Sequence, residues 1–319
     1  MKFGGGCLRD GRSVAQACAI VSAQKQAAVV VSAVSGVTEM LQAAIGQARR
    51  HERHIPPVLA ALEETHLTIV AELCPSGAAQ KRLRAAIASR VARVGRLLFG
   101  VACHGDLTPA VRARLLSQGE RLAAQLLAGV LGSLETPAAA LDARSAGLCT
   151  DGNVLAASVD RGRTRRLMRP RLAALLRRGV VPVIPGFYGR GPEGGVTLLG
   201  RNGSDYSAAA VAYALGAGRL EVWKDADGFM SADPARVPAA RRLERLSFAE
   251  AAELSYFGAK VLHPRTVEPL AGTRTRIFVR NVNDPSGAGS EIASACPGRA
   301  ADVAGIAANE RLAVLRVHG

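Results

Sequence analysis

A loop of small and polar residues carries an arginine, a serine and an aspartate directly before an alanine-rich stretch. Residues 198–215 read LLGRNGSDYSAAAVAYAL, in which Arg201, Ser204 and Asp205 precede residues of high helix propensity. Ser204 or Asp205 is predicted to cap this helix, so that the unpaired N–H groups of its first turn point into the loop. A helix start beside an arginine attracts phosphate or carboxylate groups. An ordinary capped helix after a surface turn is the alternative interpretation.

A lysine precedes three consecutive glycines at the start of the chain. Lys2 is followed by Phe3 and by glycines 4–6. Glycine lets a backbone approach phosphate groups closely, and the lysine adds a positive charge for them. The order differs from that of a P-loop, in which the lysine follows the glycines. A flexible chain end explains the run as well.

Two further segments place a lysine beside turn or helix signals. Residues 223–229 read WKDADGF, which fits either a surface Asp–Gly turn or a loop that holds a nucleotide near its phosphates. Residues 246–266 read LSFAEAAELSYFGAKVLHPRT. Ser247 and Glu250 have the spacing of a capping box, so a helix is predicted at 248–262 with Lys260 in its C-terminal part. A lone lysine in that position usually interacts with the helix dipole in solvent.

An alternation of apolar runs and amphipathic segments must position these residues. It predicts an α/β fold with a mostly parallel sheet covered on both faces. Strands are predicted at 27–34, 138–141, 180–184, 220–223 and 277–279, and helices within 40–132 and at 205–215 and 248–262. Ligands of such sheets bind beyond the carboxyl ends of the strands. The loops at 4–7, 35–38, 186–190 and 225–229 are therefore predicted to meet at one edge.

The composition bounds the classes of protein. With 319 residues, 49% of them hydrophobic, the chain can bury a large core. The net charge of +15 suggests anionic partners, but 4% aromatic residues disfavour a base-stacking nucleic-acid surface. The six cysteines form no CxxC pair, which suits a reducing cytosol. We expect a cytoplasmic protein with no nucleic-acid or membrane partner and no metal-ligating side chains.

Taken in order, these segments resemble the aspartokinases of the amino-acid kinase family. The resemblance implies a three-layer αβα sandwich with a mostly parallel central sheet. It also implies a catalytic domain at 1–292, with an N-terminal substrate lobe at 1–178 and a nucleotide lobe at 179–292. The matching blocks are KFGG, VSAVSGVT, SQGERLAAQLL, PGFYG, TLLGRNGSDYSAA, WKDADGFMSADP, LSFAEAAELSYFGAKVLHPRT and FVRNVNDPSGAGS, from Lys2 to Ser290.

The resemblance implies ATP- and Mg²⁺-dependent phosphorylation of the side-chain carboxylate of L-aspartate, the first step of lysine, threonine and methionine synthesis. The acceptor is ionised at neutral pH, so alignment and charge neutralisation replace a general base. The magnesium ion would be held chiefly by phosphates and water. The implied catalytic residues are Lys2, Asp205 and Lys260. The implied aspartate site comprises Thr38, Glu120, Phe187, Arg201 and Ser204. The implied nucleotide site comprises Gly4, Gly5, Lys224, Asp225, Asp227, Gly228, Met230 and Lys260.

The roles implied for these residues differ from what their local sequence alone favours at two positions. Glu120 lies in a stretch that predicts an amphipathic helix, where a glutamate is usually solvated. Phe187 would otherwise be assigned to the core. Under the resemblance, Glu120 pairs with the amino group of the substrate, and Arg201 grips a carboxylate with two hydrogen bonds. Lys2 and Lys260 contact the ATP phosphates from opposite sides.

The chain departs from the family pattern at several positions. Gly6 and Cys7 stand where a Thr–Ser pair is usual, Glu39 replaces an asparagine, and Asn202 replaces a common glycine. The first strand is short, with one residue before Lys2. Residues 293–319 suggest a linker and the truncated start of a regulatory ACT domain, from which we expect no inhibition by lysine or threonine.

Three functions remain open from the sequence. The first is a working aspartate kinase. The second is a kinase for another acidic amino acid, such as glutamate. The third is a non-catalytic or fragmentary subunit, which the departures at Gly6, Cys7 and Glu39 favour. Association with a second copy or with an ACT-containing regulatory chain also remains open.

Overall fold

The computed structural model describes residues 1–257, 261–262, 264–294 and 305–307. Ten strands are assigned within these ranges. They are β1 (Lys2–Phe3), β2 (Val29–Val31), β3 (Ala138–Ala140), β4 (Val181–Pro185), β5 (Tyr188–Arg190), β6 (Val196–Leu198), β7 (Arg219–Lys224), β8 (Arg245–Ser247), β9 (Arg276–Asn281) and β10 (Ser290–Ala293).

One sheet of eight of these strands forms the centre of the described structure. Its order is β3-β4-β2-β1-β7-β9-β10-β8, and all pairs are parallel except β9 with β10. Strand β1 therefore lies between β2 and β7, from which the chain proceeds toward opposite edges of the sheet. Such a switch point leaves a crevice at the carboxyl ends of the strands. The remaining strands, β5 and β6, form an antiparallel hairpin.

Helices cover both faces of the sheet, as the predicted three-layer fold requires. On one face α9 packs against β1, β2 and β7, with α8 beside it. On the other face α6 packs against β2, β3 and β4, and α1, α3 and α4 lie against α6. The assigned helices are α1 (Gly11–Ser22), α2 (Val37–Ala48), α3 (Ile55–Leu73), α4 (Ala78–His104), α5 (Pro109–Leu116), α6 (Gln118–Ser133), α7 (Ala143–Ala146), α8 (Arg161–Arg177), α9 (Gly203–Leu215) and α10 (Phe248–Tyr256).

The centre of the sheet is buried and closely packed around β1. Phe3 and Trp223, on adjacent strands, are buried and stack with their ring centroids 6.2 Å apart. The alanine run of α9 lies over this part of the sheet, and its small side chains allow the helix to approach the strands. A short, fully buried β1 is thus held by neighbours on both sides and above.

Two sequence-based expectations about helix ends are wrong. The cap of α9 is Asn202 rather than Ser204 or Asp205, and it adopts the left-handed conformation with φ 54° and makes no side-chain capping bond. Asparagine tolerates this conformation better than most residues, which accounts for its presence at a position where glycine is common. The helix predicted at 248–262 ends at Tyr256, although its Ser247–Glu250 capping box is confirmed. Lys260 lies outside the described residues.

Candidate functional site

Loops from four central strands meet at the carboxyl edge of the sheet. The loops after β1, β2, β4 and β7 line two adjoining cavities, of about 270 and 750 Å³. This confirms the predicted clustering of the loops at 4–7, 35–38 and 186–190. Of the fourth predicted loop, at 225–229, Asp225 lines the smaller cavity. The two cavities share a wall made of Gly5, Ser32, Asn202 and Ser204. Molecules bound in the two cavities would therefore touch at this wall.

Two lysines flank one buried aspartate in the smaller cavity. Lys2 Nζ lies 2.5 Å from Asp205 Oδ1, and Lys224 Nζ lies 3.3 Å from Asp205 Oδ2. The Asp205 side chain is 2% exposed. Burial alone would raise the pKa of Asp205, but Lys2 and Lys224 outweigh it and the pKa is lowered. The aspartate is thus an ionised counter-charge for both ammonium groups.

The start of α9 and the glycine loop complete the smaller cavity. Asp205 occupies the first turn of α9, so its side chain faces the lysines instead of capping the helix. Gly5 approaches the neighbouring loop so closely that a Cβ there would lie 3.1 Å from the carbonyl oxygen of Ala33. The start of α9 and the glycine backbone therefore border the cavity together with the two ammonium groups. This combination attracts phosphate groups.

Cys7 closes the glycine loop against β7. Its side chain is fully buried, and Sγ donates to the carbonyl oxygen of Trp223 at 3.3 Å. Burial raises the pKa of Cys7 to about 11, so the thiol stays neutral at physiological pH. The departure from the family pattern at this position therefore removes a hydroxyl but adds no charge.

The larger cavity gathers all five residues expected to bind an amino acid. These residues come from separate elements and comprise Thr38, Glu120, Phe187, Arg201 and Ser204. Glu39 and Arg112 also line the cavity, and both are exposed. Sequence reasoning missed Arg112, whose only signal is a position on a basic helix. Its positive charge lies in the same cavity as the unusual Glu39.

Glu120 is a buried carboxylate and not the solvated helix residue that its local sequence favours. Its side chain is 4% exposed, and Oε2 has no hydrogen-bond partner among the described residues. Burial raises the pKa of Glu120 to about 8, although backbone hydrogen bonds and the charge on Lys2 oppose the shift. A buried acid with an unpaired oxygen at a cavity wall is suited to receive a cation.

Phe187 is held at the cavity in an unusual backbone conformation. It has φ 72°, which costs free energy for a residue with a side chain. Its N–H donates to Ser207 Oγ at 3.0 Å, and its carbonyl accepts from Leu199 N at 2.8 Å. The bonds tie Phe187 to α9 and to the loop that carries Arg201. The ring is half-buried and partly faces the cavity, so Phe187 is not a pure core residue.

Seven of the residues expected to bind the nucleotide are described by the structure, and they divide into two groups. Gly4, Gly5, Lys224 and Asp225 line the smaller cavity. Asp227, Gly228 and Met230 do not line either cavity. Asp227 accepts from Asn281 Nδ2 at 2.7 Å, and Gly228 lies against Ser290. These three residues shape the loop after β7 rather than border the lysine pair.

Sequence reasoning also missed Arg265, which braces the loop before Arg201. Its Nη2 donates to the carbonyl oxygen of Ala157 at 3.1 Å and to Ser158 Oγ at 3.2 Å. Its guanidinium also stacks over the ring of Tyr206, 4.6 Å from the centroid. The sequence HPRT at 263–266 belongs to a block shared with the family, but nothing in the sequence shows which loops Arg265 contacts.

A third cavity, of about 460 Å³, lies at the opposite, amino-terminal edge of the sheet. Met1, Ala28 and Leu220 are among its lining residues, and it shares no lining residue with the other two. No cluster of three or more His, Cys, Asp or Glu side chains suited to a metal ion occurs in the described part of the chain. None of the helices assigned there combines the length and apolarity needed to cross a bilayer.

Comparison with known proteins agrees with this geometry. Residues 1–281 match the amino acid kinase family. The chain is 32% identical to a bifunctional aspartokinase/homoserine dehydrogenase of Haemophilus influenzae, over the whole chain and 39% of that protein. It is 32% identical to the lysine-sensitive aspartokinase 3 of Escherichia coli, over 91% of the chain and 62% of that protein. It therefore spans well under two thirds of the longer relative.

A solved structure also superimposes closely. The crystal structure of E. coli aspartokinase III in complex with aspartate and ADP has a TM-score of 0.83 to this chain. The sequence identity is 30%, and the match covers 92% of this chain and 64% of the other. The similarity therefore extends over most of the chain.

Proposed function

Because the chain belongs to the amino acid kinase family, we propose that it transfers the γ-phosphoryl group of ATP to the side-chain carboxylate of L-aspartate. The product is 4-phospho-L-aspartate. The observation that carries the proposal is the wall shared by a lysine-lined cavity and a cavity that holds a buried acid and an arginine. A donor and an acceptor bound on its two sides would meet there.

The larger cavity offers complementary groups for each charge of aspartate. The buried carboxylate of Glu120 would pair with the α-ammonium group. Arg201 would bind a carboxylate with two parallel hydrogen bonds. Thr38 and Ser204 supply hydroxyl groups at the same wall. These groups fix the orientation in which the second carboxylate of the substrate faces the smaller cavity.

The smaller cavity is suited to the polyphosphate chain of ATP. Lys2 and Lys224 supply positive charge, and the backbone of Gly4 and Gly5 lies beside them. The first turn of α9 lies at the same cavity and adds the positive end of the helix dipole. Asp205 fixes the positions of the ammonium groups before a nucleotide binds. Preorganised charge of this kind stabilises a transition state without further rearrangement.

The reaction requires alignment more than proton transfer. The attacking carboxylate is already ionised at neutral pH, so no side chain has to act as a general base. Two anions must instead be brought together in line, and the cationic wall reduces their repulsion. The described residues provide this by binding donor and acceptor on opposite sides of Gly5 and Ser204.

The residues fit a magnesium ion that is held mainly by the nucleotide. Both oxygens of Asp205 face ammonium groups, and Asp225 is the other carboxylate that lines the smaller cavity. Mg²⁺ commonly keeps several water ligands and binds one or two carboxylates together with phosphates. When bound, the ion would neutralise phosphate charge, and Asp225 is the side chain able to orient it.

The proposal also includes the pathway of the product, its location in the cell and the roles of the two lobes. The product would enter lysine, threonine and methionine synthesis in the cytoplasm, and the aspartate lobe at 1–178 would act with the nucleotide lobe at 179–292. The larger cavity draws Thr38 and Glu120 from the first of these and Phe187 and Arg201 from the second. The acceptor would therefore be bound between residues of the two lobes.

The test is aspartate-dependent release of ADP, with the acyl phosphate trapped by hydroxylamine. We expect turnover with L-aspartate and at least tenfold less with L-glutamate at equal concentration. Lys2→Met should reduce kcat by a factor of about 10² or more, because it removes a charge contact at the reacting phosphoryl group. Lys25→Met, at an exposed lysine that lines neither of the two cavities at the carboxyl edge, is the matched control.

Each outcome of this assay selects one interpretation. Preference for glutamate would identify a kinase for another acidic amino acid. Absence of turnover, with ATP binding weak, would identify a non-catalytic subunit. Equal rates for Lys2→Met and Lys25→Met would show that the phosphate site has been misplaced.

A further inference from the structure

Lys224 and Lys2 project from adjacent strands onto the same buried carboxylate. In the register of the sheet Lys2 pairs with Val222, so Lys224 lies two residues beyond it on β7. Alternate residues of a strand point to the same face. Both lysines therefore rise from the face that α9 covers, and Asp205 of α9 lies between them. The strand register, and not a flexible loop, fixes the spacing of the two ammonium groups.

The charge of this cluster is unbalanced in the absence of an anion. Lys2 and Lys224 contribute two positive charges and Asp205 one negative charge, all with side chains at most 18% exposed. Burial lowers the pKa of Lys224, and the neighbouring charge on Lys2 adds to this, while Asp205 opposes it. Asp225 is the other carboxylate that lines this cavity, but among the described residues it forms no ion pair with either lysine, so an anion that binds between Lys2 and Lys224 balances their charge. The cluster is thus poised for a ligand with at least one negative charge.

Backbone contacts hold the glycine loop and Lys224 together. Gly4 N donates to the carbonyl oxygen of Trp223 at 3.3 Å, which fixes the first glycine beside the residue that precedes Lys224. A Cβ at Gly4 would lie 3.5 Å from Lys2 Nζ, so the glycine lies beneath the ammonium group. Phosphate oxygens cradled by the glycine backbone would therefore be within reach of both lysines.

We propose that Lys224 is a catalytic residue that contacts the transferring phosphoryl group, as the second ammonium beside Lys2. The inference rests on the proposed kinase function and deepens it. The resemblance gives the second ammonium at the phosphates to Lys260 and counts Lys224 only among the residues of the nucleotide site. Lys260 lies outside the described residues, and among those described the geometry directs Lys224 to the phosphates, with Asp205 as the residue that holds Lys2 and Lys224 in position.

The chemical step needs no proton from Lys224. A bond forms between a carboxylate oxygen of the acceptor and the γ-phosphorus of ATP. The bond between that phosphorus and the β–γ bridging oxygen breaks, and its electron pair leaves with ADP. Lys224 remains protonated and offsets the negative charge on the phosphoryl oxygens as they pass from donor to acceptor.

The first experiment compares Lys224→Met, Lys224→Arg and the control Lys25→Met in the aspartate-dependent assay. We expect Lys224→Met to lower kcat by a factor of about 10² while the KM for aspartate changes less than threefold. Lys224→Arg should recover part of kcat, because it restores the charge but not the compact shape of an ammonium group. An unchanged kcat in Lys224→Met overturns the proposal.

A binding experiment tests the same contact without turnover. Isothermal titration calorimetry measures the binding, because the single tryptophan, Trp223, lies on the opposite face of β7 from Lys224 and lines neither cavity. We expect Lys224→Met to weaken binding of inorganic tripolyphosphate at least tenfold and binding of adenosine less than twofold. Lys224→Arg should keep the tripolyphosphate affinity within threefold. A loss confined to adenosine overturns the proposal.

The two experiments distinguish an error in the role proposed for Lys224 from an error in the proposed kinase activity. A wild-type chain without aspartate-dependent turnover would reject the proposed function. Tripolyphosphate binding would still decide whether Lys224 faces phosphate. Thermal unfolding of each variant excludes loss of structure. Should Lys224→Met fail to fold, Lys224→Gln takes its place with the same expected losses, and an unchanged Lys224→Gln would overturn the proposal.

Discussion

The guanidinium of Arg265 donates from Nη1 to the carbonyl oxygen of Leu199 across 3.3 Å. Leu199 lies two residues before Arg201, on the loop that leads into α9. Together with its bonds to Ala157 and Ser158, this contact joins three segments that are distant in the sequence. We therefore propose that Arg265 positions the loop of Arg201 and acts through it on the proposed acceptor site.

Arg265→Lys is expected to weaken the acceptor site without removing the phosphate site. A lysine cannot form the same set of parallel bonds to two carbonyl oxygens. We expect the KM for aspartate to rise about tenfold, with the KM for ATP changed less than threefold. Steady-state kinetics with each substrate varied checks this. Arg276→Lys is the control, since Arg276 pairs with Glu291 at the exposed end of the sheet. Equal effects on both KM values would assign Arg265 a general structural role.

Aspartate binding is expected to depend on pH through Glu120. The pKa of Glu120 is raised to about 8 by burial, so in the free protein the side chain is mostly protonated below that pH. Only its ionised form pairs with the α-ammonium group. The affinity for aspartate should therefore rise about tenfold per pH unit from pH 6 to 7 and level off near pH 8. Titration calorimetry of the wild type and Glu120→Gln checks this, with a weak and nearly flat profile expected for the variant. A flat profile in the wild type would contradict the assigned role.

The same residue is expected to make stability fall as the pH rises. The pKa of Glu120 is higher in the folded protein, at about 8, than its ordinary value of 4.5. Between these values the folded state binds more protons than the unfolded state, so the free energy of unfolding decreases with increasing pH. Glu120→Gln lacks this dependence. Relative to the wild type, the free energy of unfolding of the variant should increase by about 4 kcal/mol between pH 5 and pH 9.

Urea unfolding of both proteins at these two pH values measures the gain. The comparison cancels the titration of other groups, because the two chains differ at one side chain. A constant difference between wild type and Glu120→Gln at both pH values would show that Glu120 does not titrate with a raised pKa.

Asp205→Asn is expected to destabilise the fold by leaving two ammonium groups without a counter-charge. Breaking a buried ion pair in this way costs about 3–5 kcal/mol. Without Asp205, the pKa of Lys224 would fall further. The loss of unfolding free energy in Asp205→Asn should therefore become smaller as the pH rises and Lys224 loses its proton. In the wild type, the contribution of Asp205 is present above its ordinary pKa of 3.8 and is lost as the pH falls below it.

Chemical denaturation at pH 7 and pH 9.5 checks this expectation. Asp233→Asn is the matched control, because Asp233 is exposed and its ion pair with Arg236 is long, at 3.9 Å. The control should leave the free energy of unfolding almost unchanged. A loss for Asp205→Asn that grows with pH would contradict the assignment of Asp205 as the shared counter-charge.

Much of the fold and of the candidate site could be predicted from the sequence. Apolar strand runs and the loops that follow them indicated a parallel sheet with its site at one edge, since these features depend on local patterns. The end of α10 and the cap of α9 could not be predicted in this way. Asn202 adopts a left-handed conformation that several residues can enter, and tertiary contacts select it.

The sequence by itself determined which chemical groups are present and in which blocks they lie, namely lysines beside glycines, an arginine before a helix start, and a capping box. The tertiary structure decided which of these groups touch. It directed Lys224 to Asp205 through the strand register, buried Glu120 with an unpaired oxygen, and joined Arg265 to the loop of Arg201. The physical reason is that charge interactions and desolvation depend on distance and burial, which segments far apart in the chain acquire only when they pack together.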